Sequence, residues 1–112
     1  MTRLIIKITE CSGEHREWSG MYDKAHAARY DSLIDLISAV TKKEFGQSAF
    51  FWESSELPGY GQIAKRISRD GEGGYTCLTG RVRVDFYKSD LGLKSISRAQ
   101  AQEIFEAMRS ES

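Results

Sequence analysis

Apolar side chains recur at every second position in two segments, residues 3–10 and residues 82–88, the latter within a longer β-type stretch at 75–88. A period of two puts the apolar side chains on one face of an extended chain and the polar side chains on the other, as in a strand buried on one side. We therefore predict a strand in each segment, with a bulge or turn at Gly80 before the second one. The apolar members are Leu4, Ile6 and Ile8 in the first segment and Val82, Val84 and Phe86 in the second.

Two other segments repeat their apolar residues every three or four positions, which predicts helices with one buried face. The first covers residues 32–45. It opens at Ser32, which stands three residues before an aspartate as in a capping box, and Gly46 suits the left-handed position that follows a helix. The second begins at Ser97, which matches the capping box again together with Gln100.

The N-terminal third has weaker patterns after its first strand. Turn-forming residues at 12–14 are followed by alternation at 15–18, which predicts a return strand of a hairpin. From residue 19 to residue 30 the periodicity is lost, and we predict a loop with at most one helical turn.

The middle of the chain contains an aromatic segment, residues 48–52, whose bulky composition predicts a strand. Residues 54–61 contain the only proline and two glycines and are predicted as an irregular loop. Residues 62–69 fit either a strand or a short helix. The turn-rich residues 70–74 that follow favour a strand that enters a hairpin.

The order of these elements predicts the fold class. Strands and helices in the order ββα-ββββ-α indicate a single α+β domain over residues 1–112, with an antiparallel sheet of four to six strands and two helices packed on one face. We expect one core formed by Ile6, Ile8, Leu33, Leu36, Ile37, Val40, Val82, Val84, Phe86, Ile104, Phe105 and Met108.

Composition narrows the class of protein. The 112 residues suit one domain, and 16 basic residues balance 16 acidic residues, so no net charge drives capture of a polyanion or an anionic membrane. Two cysteines are too few for a disulfide framework, and no run of 18 apolar residues occurs. Residues 1–14 have no long apolar stretch, so we expect no signal peptide. We expect a cytoplasmic protein with no cofactor and no membrane contact.

Catalytic and metal chemistry has few candidates. Cys11 and His15 are four residues apart, but structural zinc sites usually come as two close pairs, and here the second pair is missing. A nucleophilic site would pair Cys11 with a histidine base and with Glu14 or Asp23 as the orienting acid. The glycines at 71–74 match no phosphate-binding pattern, and no hydrolase motif is present. We predict no enzyme and no metal site, and keep a Cys/His-dependent enzyme or zinc protein, with Cys11, His15, His26 and Cys77 as its residues, as the last alternative.

Nucleic-acid binding is the first alternative, because residues 62–88 contain six basic residues against three acidic ones. Tyr75 and Tyr87 lie in the same region and offer rings for base stacking. The basic residues are Lys65, Arg66, Arg69, Arg81, Arg83 and Lys88.

Protein binding is the leading hypothesis, because several aromatic residues fall where a core does not require them. Aromatic side chains dominate the energetics of interfaces. We predict that residues 50–61 face the partner, with Trp52 or Phe51 and Tyr60 as anchors, and that Gly59 and Gly61 let the backbone approach it closely. The full set of predicted contact residues is Phe51, Trp52, Tyr60, Trp18, Tyr22 and Tyr30.

A short, electroneutral domain without a catalytic motif is similar in size and style to small phage-encoded inhibitors, anti-CRISPR proteins among them. No residue motif is shared. The resemblance implies a non-catalytic protein that covers a site on a larger assembly.

Overall fold

The computed structural model describes residues 2–69 and 72–110. Within them the chain forms seven strands and three helices. The strands are β1 (Arg3–Glu10), β2 (Glu17–Tyr22), β3 (Ala49–Glu53), β4 (Tyr60–Arg69), β5 (Glu72–Cys77), β6 (Val82–Ser89) and β7 (Leu93–Ile96). The helices are α1 (Lys24–Ala27), α2 (Leu33–Phe45) and α3 (Arg98–Ser110).

All strands belong to one antiparallel sheet, in the order β2-β1-β6-β4-β3. β5 and β6 both pair with β4 and lie end to end along it. In the same way β4 and β7 follow each other along β6. The α+β class is confirmed. The predicted counts are each too low by one, since at most six strands and two helices were expected and seven strands and three helices are present in the described residues.

The helices lie on one face of the sheet, which carries the alternating apolar residues of β1 and β6. One buried cluster joins this face to α2 and α3, and it contains every residue of the predicted core, with Ile104 partly buried at its margin. Leu4, Phe51 and Ile63 are further buried members. No helix in residues 2–69 or 72–110 is long and apolar enough to cross a membrane.

Both long helices begin where their capping residues predict. Ser32 Oγ accepts the N–H of Asp35 at the start of α2, and Gly46 ends this helix with a φ of 103°. At α3 the box is reciprocal, because Gln100 N–H donates to Ser97 Oγ and Ser97 N–H donates to Gln100 Oε1.

The strand pairing shows two stretches of strand that the sequence did not predict, at residues 19–22 and in β7. Residues 19–22 are not a loop but extend β2, because β1 supplies hydrogen-bonding partners as far as Leu4↔Tyr22. The helical turn that the prediction allowed within residues 19–30 is present as α1, and it is the third helix that the predicted count of two left out. β7 was missed since it is short and mostly exposed, and only its pairing with β6 shows it to be a strand.

The strand prediction for residues 62–69 is confirmed by β4, which starts at Tyr60. Of the predicted turn at 70–74, residues 72–74 belong to β5, and residues 70 and 71 lie outside the described residues.

A bulge separates β5 from β6, as predicted at Gly80. Ala64 pairs with Cys77 and Gly61 pairs with Val82, so residues 62–63 of β4 face the four residues 78–81. Thr79 closes the bulge, because its Oγ1 accepts the N–H of Ile63 at 3.0 Å. The interruption turns residues 78–81 out of the regular ladder and places Arg81 beside the beginning of β4.

Candidate binding surface

The face of the sheet opposite the helices has three aromatic rings close together at its β3 edge. The register of β3, β4 and β5 places them side by side, because Phe50 pairs with Ala64 and Ala64 pairs in turn with Cys77. Trp52 lies two residues along β3 from Phe50, and Tyr75 lies two residues along β5 from Cys77, so all three side chains point to the same face. We call Phe50, Trp52 and Tyr75 the aromatic cluster.

The rings of the aromatic cluster contact each other. Tyr75 meets Phe50 at 5.5 Å and Trp52 at 5.4 Å between ring centroids, edge to face in both cases. Phe50 and Trp52 are nearly parallel at 6.5 Å. Ala64 beneath them is completely buried, although it faces away from the helices. The rings therefore cover part of the sheet face opposite the helices, which we call the open face.

Two of the three rings of the aromatic cluster are exposed to solvent. Trp52 is 49% exposed and Tyr75 is 56% exposed. Large aromatic side chains at interfaces supply most of the binding energy. Two such side chains in mutual contact at the surface mark the aromatic cluster as the strongest candidate contact surface of the described chain.

Two arginines lie at the borders of the aromatic cluster. The guanidinium of Arg66 lies over the ring of Phe50 at 5.9 Å, and that of Arg81 lies over Tyr60 at 5.5 Å. Neither forms an ion pair with any described side chain. Arg83 differs, because its Nε donates to Asp85 at 3.1 Å and this contact raises the pKa of the guanidinium.

Trp52 separates two grooves. One holds about 420 Å³, is mostly apolar and runs from the aromatic cluster around the β3 edge to Ile34 of α2. The other holds about 400 Å³, has a polar lining and extends from Trp52 past Gln62 to Arg81. An apolar groove and a polar groove lined by Arg81 thus share Trp52 as a common wall.

β3 is held in place by α2. Ser38 Oγ accepts the N–H of Phe51 at 2.8 Å, and Lys42 Nζ donates to the carbonyl of Ala49 at 3.0 Å. Both backbone groups point away from β4, so these contacts satisfy part of the edge that β3 would otherwise expose. They also fix the strand from which Phe50 and Trp52 project.

The end of β3 is tied to α3 and to the following loop. Arg98 donates from both Nε and Nη2 to the carboxylate of Glu53, at 3.0 and 3.2 Å. The same carboxylate accepts the N–H of Gly59 at 3.2 Å. A bidentate, partly buried ion pair of this kind fixes the relative orientation of the two side chains and also stabilises the contact between them.

The loop of residues 54–59, predicted to be irregular, has a compact internal structure. Ser54 Oγ accepts the N–H groups of Glu56 and Leu57, and Ser54 N–H donates to the carbonyl of Tyr60. Gly59 is buried, has a φ of 84° and is needed for the turn. The prediction that Gly59 and Gly61 bring the backbone to a partner is wrong, because both glycines pack against the domain itself.

The predicted aromatic anchors divide into exposed and buried residues. Trp52 is exposed and Tyr60 is half-buried beside Arg81. Phe51 is 1% exposed and Tyr22 is 9% exposed, so both rings belong to the core. Alternation along β3 explains the difference, since Phe51 points to α2 while its neighbours point to the open face.

Trp18 and Tyr30 are also turned inward. Trp18 packs edge-on against Phe45 at 5.4 Å, and its indole N–H is buried without a hydrogen-bond partner among the described residues. Tyr30 contacts the buried ring of Tyr22 at 6.4 Å. Burial raises the pKa of the Tyr22 hydroxyl to about 12.

The structure does not gather the six predicted basic residues on one surface. Arg66, Arg81 and Arg83 are on the open side, with Arg83 already paired to Asp85. Lys65 and Lys88 alternate onto the helix side, where Lys88 lies near Ile104 and Met108. The side chain of Arg69 lies outside the described residues.

The cysteines and histidines are engaged separately. His15 Nδ1 lies 3.1 Å from the carbonyl of Glu10, and His26 lies 2.7 Å from Asp23. The backbone N–H of His26 lowers the pKa of Asp23, with the ring contact adding to the effect. The Cys77 thiol faces Gln62 at 3.5 Å. No three His, Cys, Asp or Glu residues in the described ranges come together as metal ligands.

Sequence reasoning missed Phe50 as a surface residue and the meeting of Tyr75 with Trp52. The aromatic triplet at 50–52 carries no alternation that shows which rings are buried, and Tyr75 lies 23 positions from Trp52. Only the register of β3, β4 and β5 brings the rings together.

Comparison of the chain with protein-family models, with curated proteins and with solved structures finds no match.

Proposed function

We propose that this domain is a non-catalytic binding module that docks a protein partner through the aromatic cluster. The observation that carries the proposal is the contact between Trp52 and Tyr75, two rings that are each about half exposed on a sheet face without covering helices. Anchors of this type, surrounded by less important contacts, dominate protein interfaces. Such a module acts by covering a site on a larger assembly.

Ring orientation favours a protein over a nucleic acid. Base-stacking surfaces present aromatic faces to successive bases. Here Tyr75 stands at 63° to Trp52 and at 70° to Phe50, and Arg66 lies over the Phe50 ring. The rings offer edges and a shared apolar surface, which suits side chains of a protein.

The test compares proteins captured by matched variants. Tagged wild-type protein, Trp52→Ala and Leu91→Ala are incubated with lysate of the source cell, and the captured proteins are quantified by mass spectrometry. Leu91 is the control because it is fully exposed and apolar but lies in the β6–β7 turn, outside the aromatic cluster. Circular dichroism verifies that both variants are folded.

We expect a partner that wild type and Leu91→Ala retain equally and that Trp52→Ala loses, with affinity weakened by about tenfold or more. Truncation of Tyr75 should reproduce the loss. Equal capture by all folded variants would contradict the proposal.

A further inference from the structure

We propose that the partner segment bound at the aromatic cluster is acidic, with an apolar residue between two carboxylates. This inference rests on the proposed function and specifies its ligand: the apolar side chain enters the groove beside Trp52, and the carboxylates pair with Arg66 and Arg81.

Charge at the surface supports an acidic ligand. Two other charged groups at this surface are compensated within the described residues, since Arg83 pairs with Asp85 and Glu53 pairs with Arg98. The guanidiniums of Arg66 and Arg81 lie over aromatic rings, and no described carboxylate forms an ion pair with either. Among the described side chains, Arg66 and Arg81 therefore leave positive charge without a carboxylate partner beside the aromatic cluster of an electroneutral chain. Complementary charge across an interface sets partner choice and association rate.

The guanidiniums are suited to carboxylates in particular. Each lies over an aromatic ring, and a guanidinium stacked in this way has a restricted range of orientations. A restricted planar guanidinium forms two parallel hydrogen bonds to a carboxylate at lower entropic cost than a mobile lysine.

Spacing along β4 defines the ligand further. Arg66 is four residues from Gln62, and Gln62 lines the polar groove together with Arg81. Four residues of strand span about 13 Å, which is also the length of four residues in an extended peptide. Alternate residues of an extended peptide face the same side. A carboxylate at position i, a large apolar residue at i+2 and a carboxylate at i+4 therefore reach one arginine, the apolar groove and the other arginine.

The groove suits one linear segment. Its lining is mostly apolar and joins the aromatic cluster to Ile34 of α2. A single large side chain can enter it from the open face while the flanking residues stay at the surface with the arginines.

A peptide selection tests the inference. A phage library of random peptides about a dozen residues long is selected on wild-type protein, with counter-selection on folded Trp52→Ala. Individual peptides are then titrated against Arg66→Glu combined with Arg81→Glu. The control combines Arg29→Glu with Lys43→Glu, which changes net charge equally at exposed sites on α2 and beyond α1. Single-stranded oligothymidine and oligouridine are titrated in parallel.

We expect enriched peptides with acidic residues on both sides of a large apolar residue. Their affinity should fall about tenfold or more in the Arg66/Arg81 variant and stay unchanged in the control. Peptides that depend on Trp52 but lack acidic residues would overturn this inference and leave the proposed function intact. Absence of any Trp52-dependent peptide would overturn both. Trp52-dependent oligonucleotide binding would replace them with the nucleic-acid alternative.

Discussion

At the residue scale, Gly61 shows most clearly how sequence and geometry are linked. A Cβ at this position would lie 2.1 Å from the carbonyl oxygen of Trp52 and 2.8 Å from the ring of Phe51. β3 and β4 can approach this closely only if no side chain stands between them. The glycine therefore supports the strand that presents Trp52, although its place in the sequence resembles that of an ordinary loop glycine.

Replacing Gly61 with alanine should destabilise the domain by about 2 kcal/mol or more, because the carbonyl that would clash belongs to the backbone and cannot rotate away. Gly73→Ala is the matched control, since nothing lies within 4 Å of a Cβ at that position in β5. Urea denaturation of the control should agree with wild type within about 0.5 kcal/mol. Equal stability of the two variants would contradict the close approach.

Tyr22 gives a prediction about alkaline pH. Its folded-state pKa of about 12 lies above the ordinary value of 10, because burial disfavours the phenolate. A raised pKa contributes stability that is complete below pH 10 and is lost as pH rises toward 12. This loss should be absent in Tyr22→Phe, which has no hydroxyl to ionise. Urea denaturation at several pH values measures the free energy of unfolding of both proteins. The same pH dependence in wild type and Tyr22→Phe would contradict a raised pKa of Tyr22.

At the element scale, local signals predicted the helices better than the strands. The ends of α2 and α3 depend on capping contacts within three residues, and such contacts are visible in the sequence. β7 and the second half of β2 depend on pairing with distant strands, which local alternation does not report. For the same reason the sequence indicated that one ring of the triplet at 50–52 would face outward but not which one.

The contact between Ser38 and β3 carries a prediction at this scale. Ser38→Ala should leave the buried N–H of Phe51 without a partner and cost about 1–3 kcal/mol. Ser48→Ala is the control, because Ser48 is exposed and stands directly before the same strand. Hydrogen exchange should show faster exchange at the Phe51 amide in the first variant only. An unchanged exchange rate there would mean that α2 does not hold the strand edge through this hydroxyl.

At the scale of the whole molecule, the core was predictable and the binding surface was predictable only in part. Periods of two and of 3.6 identify buried positions in each element separately, and a two-layer domain must place those positions together. The surface instead depends on how three strands align. Trp52 was recognisable only as one of two alternative anchors in the aromatic triplet, the other being Phe51. Its contact with Tyr75, and the positions of Arg66 and Arg81 beside the aromatic cluster, could be found only from the register of the strands.

Leu36 tests the account of the core. It is completely buried in α2, so Leu36→Ala should lose about 2–5 kcal/mol through lost burial and an unfilled cavity. Leu91→Ala removes the same atoms from a fully exposed position and should change stability by no more than about 0.5 kcal/mol. Thermal or urea unfolding provides both values. A small effect at Leu36 would show that α2 does not pack on the sheet as described.

The central claim, that a protein partner docks on the aromatic cluster, is tested most directly by fluorine NMR of the protein labelled with fluorotryptophan. The chain has two tryptophans, one turned inward against Phe45 and one on the open face, so two resonances are expected and Trp52→Phe assigns them. On addition of the captured partner, the resonance of Trp52 should shift or broaden while that of Trp18 stays in place. A shift confined to Trp18, with Trp52 unchanged at saturation, would contradict the claim and move the interface to the β2 side of the sheet.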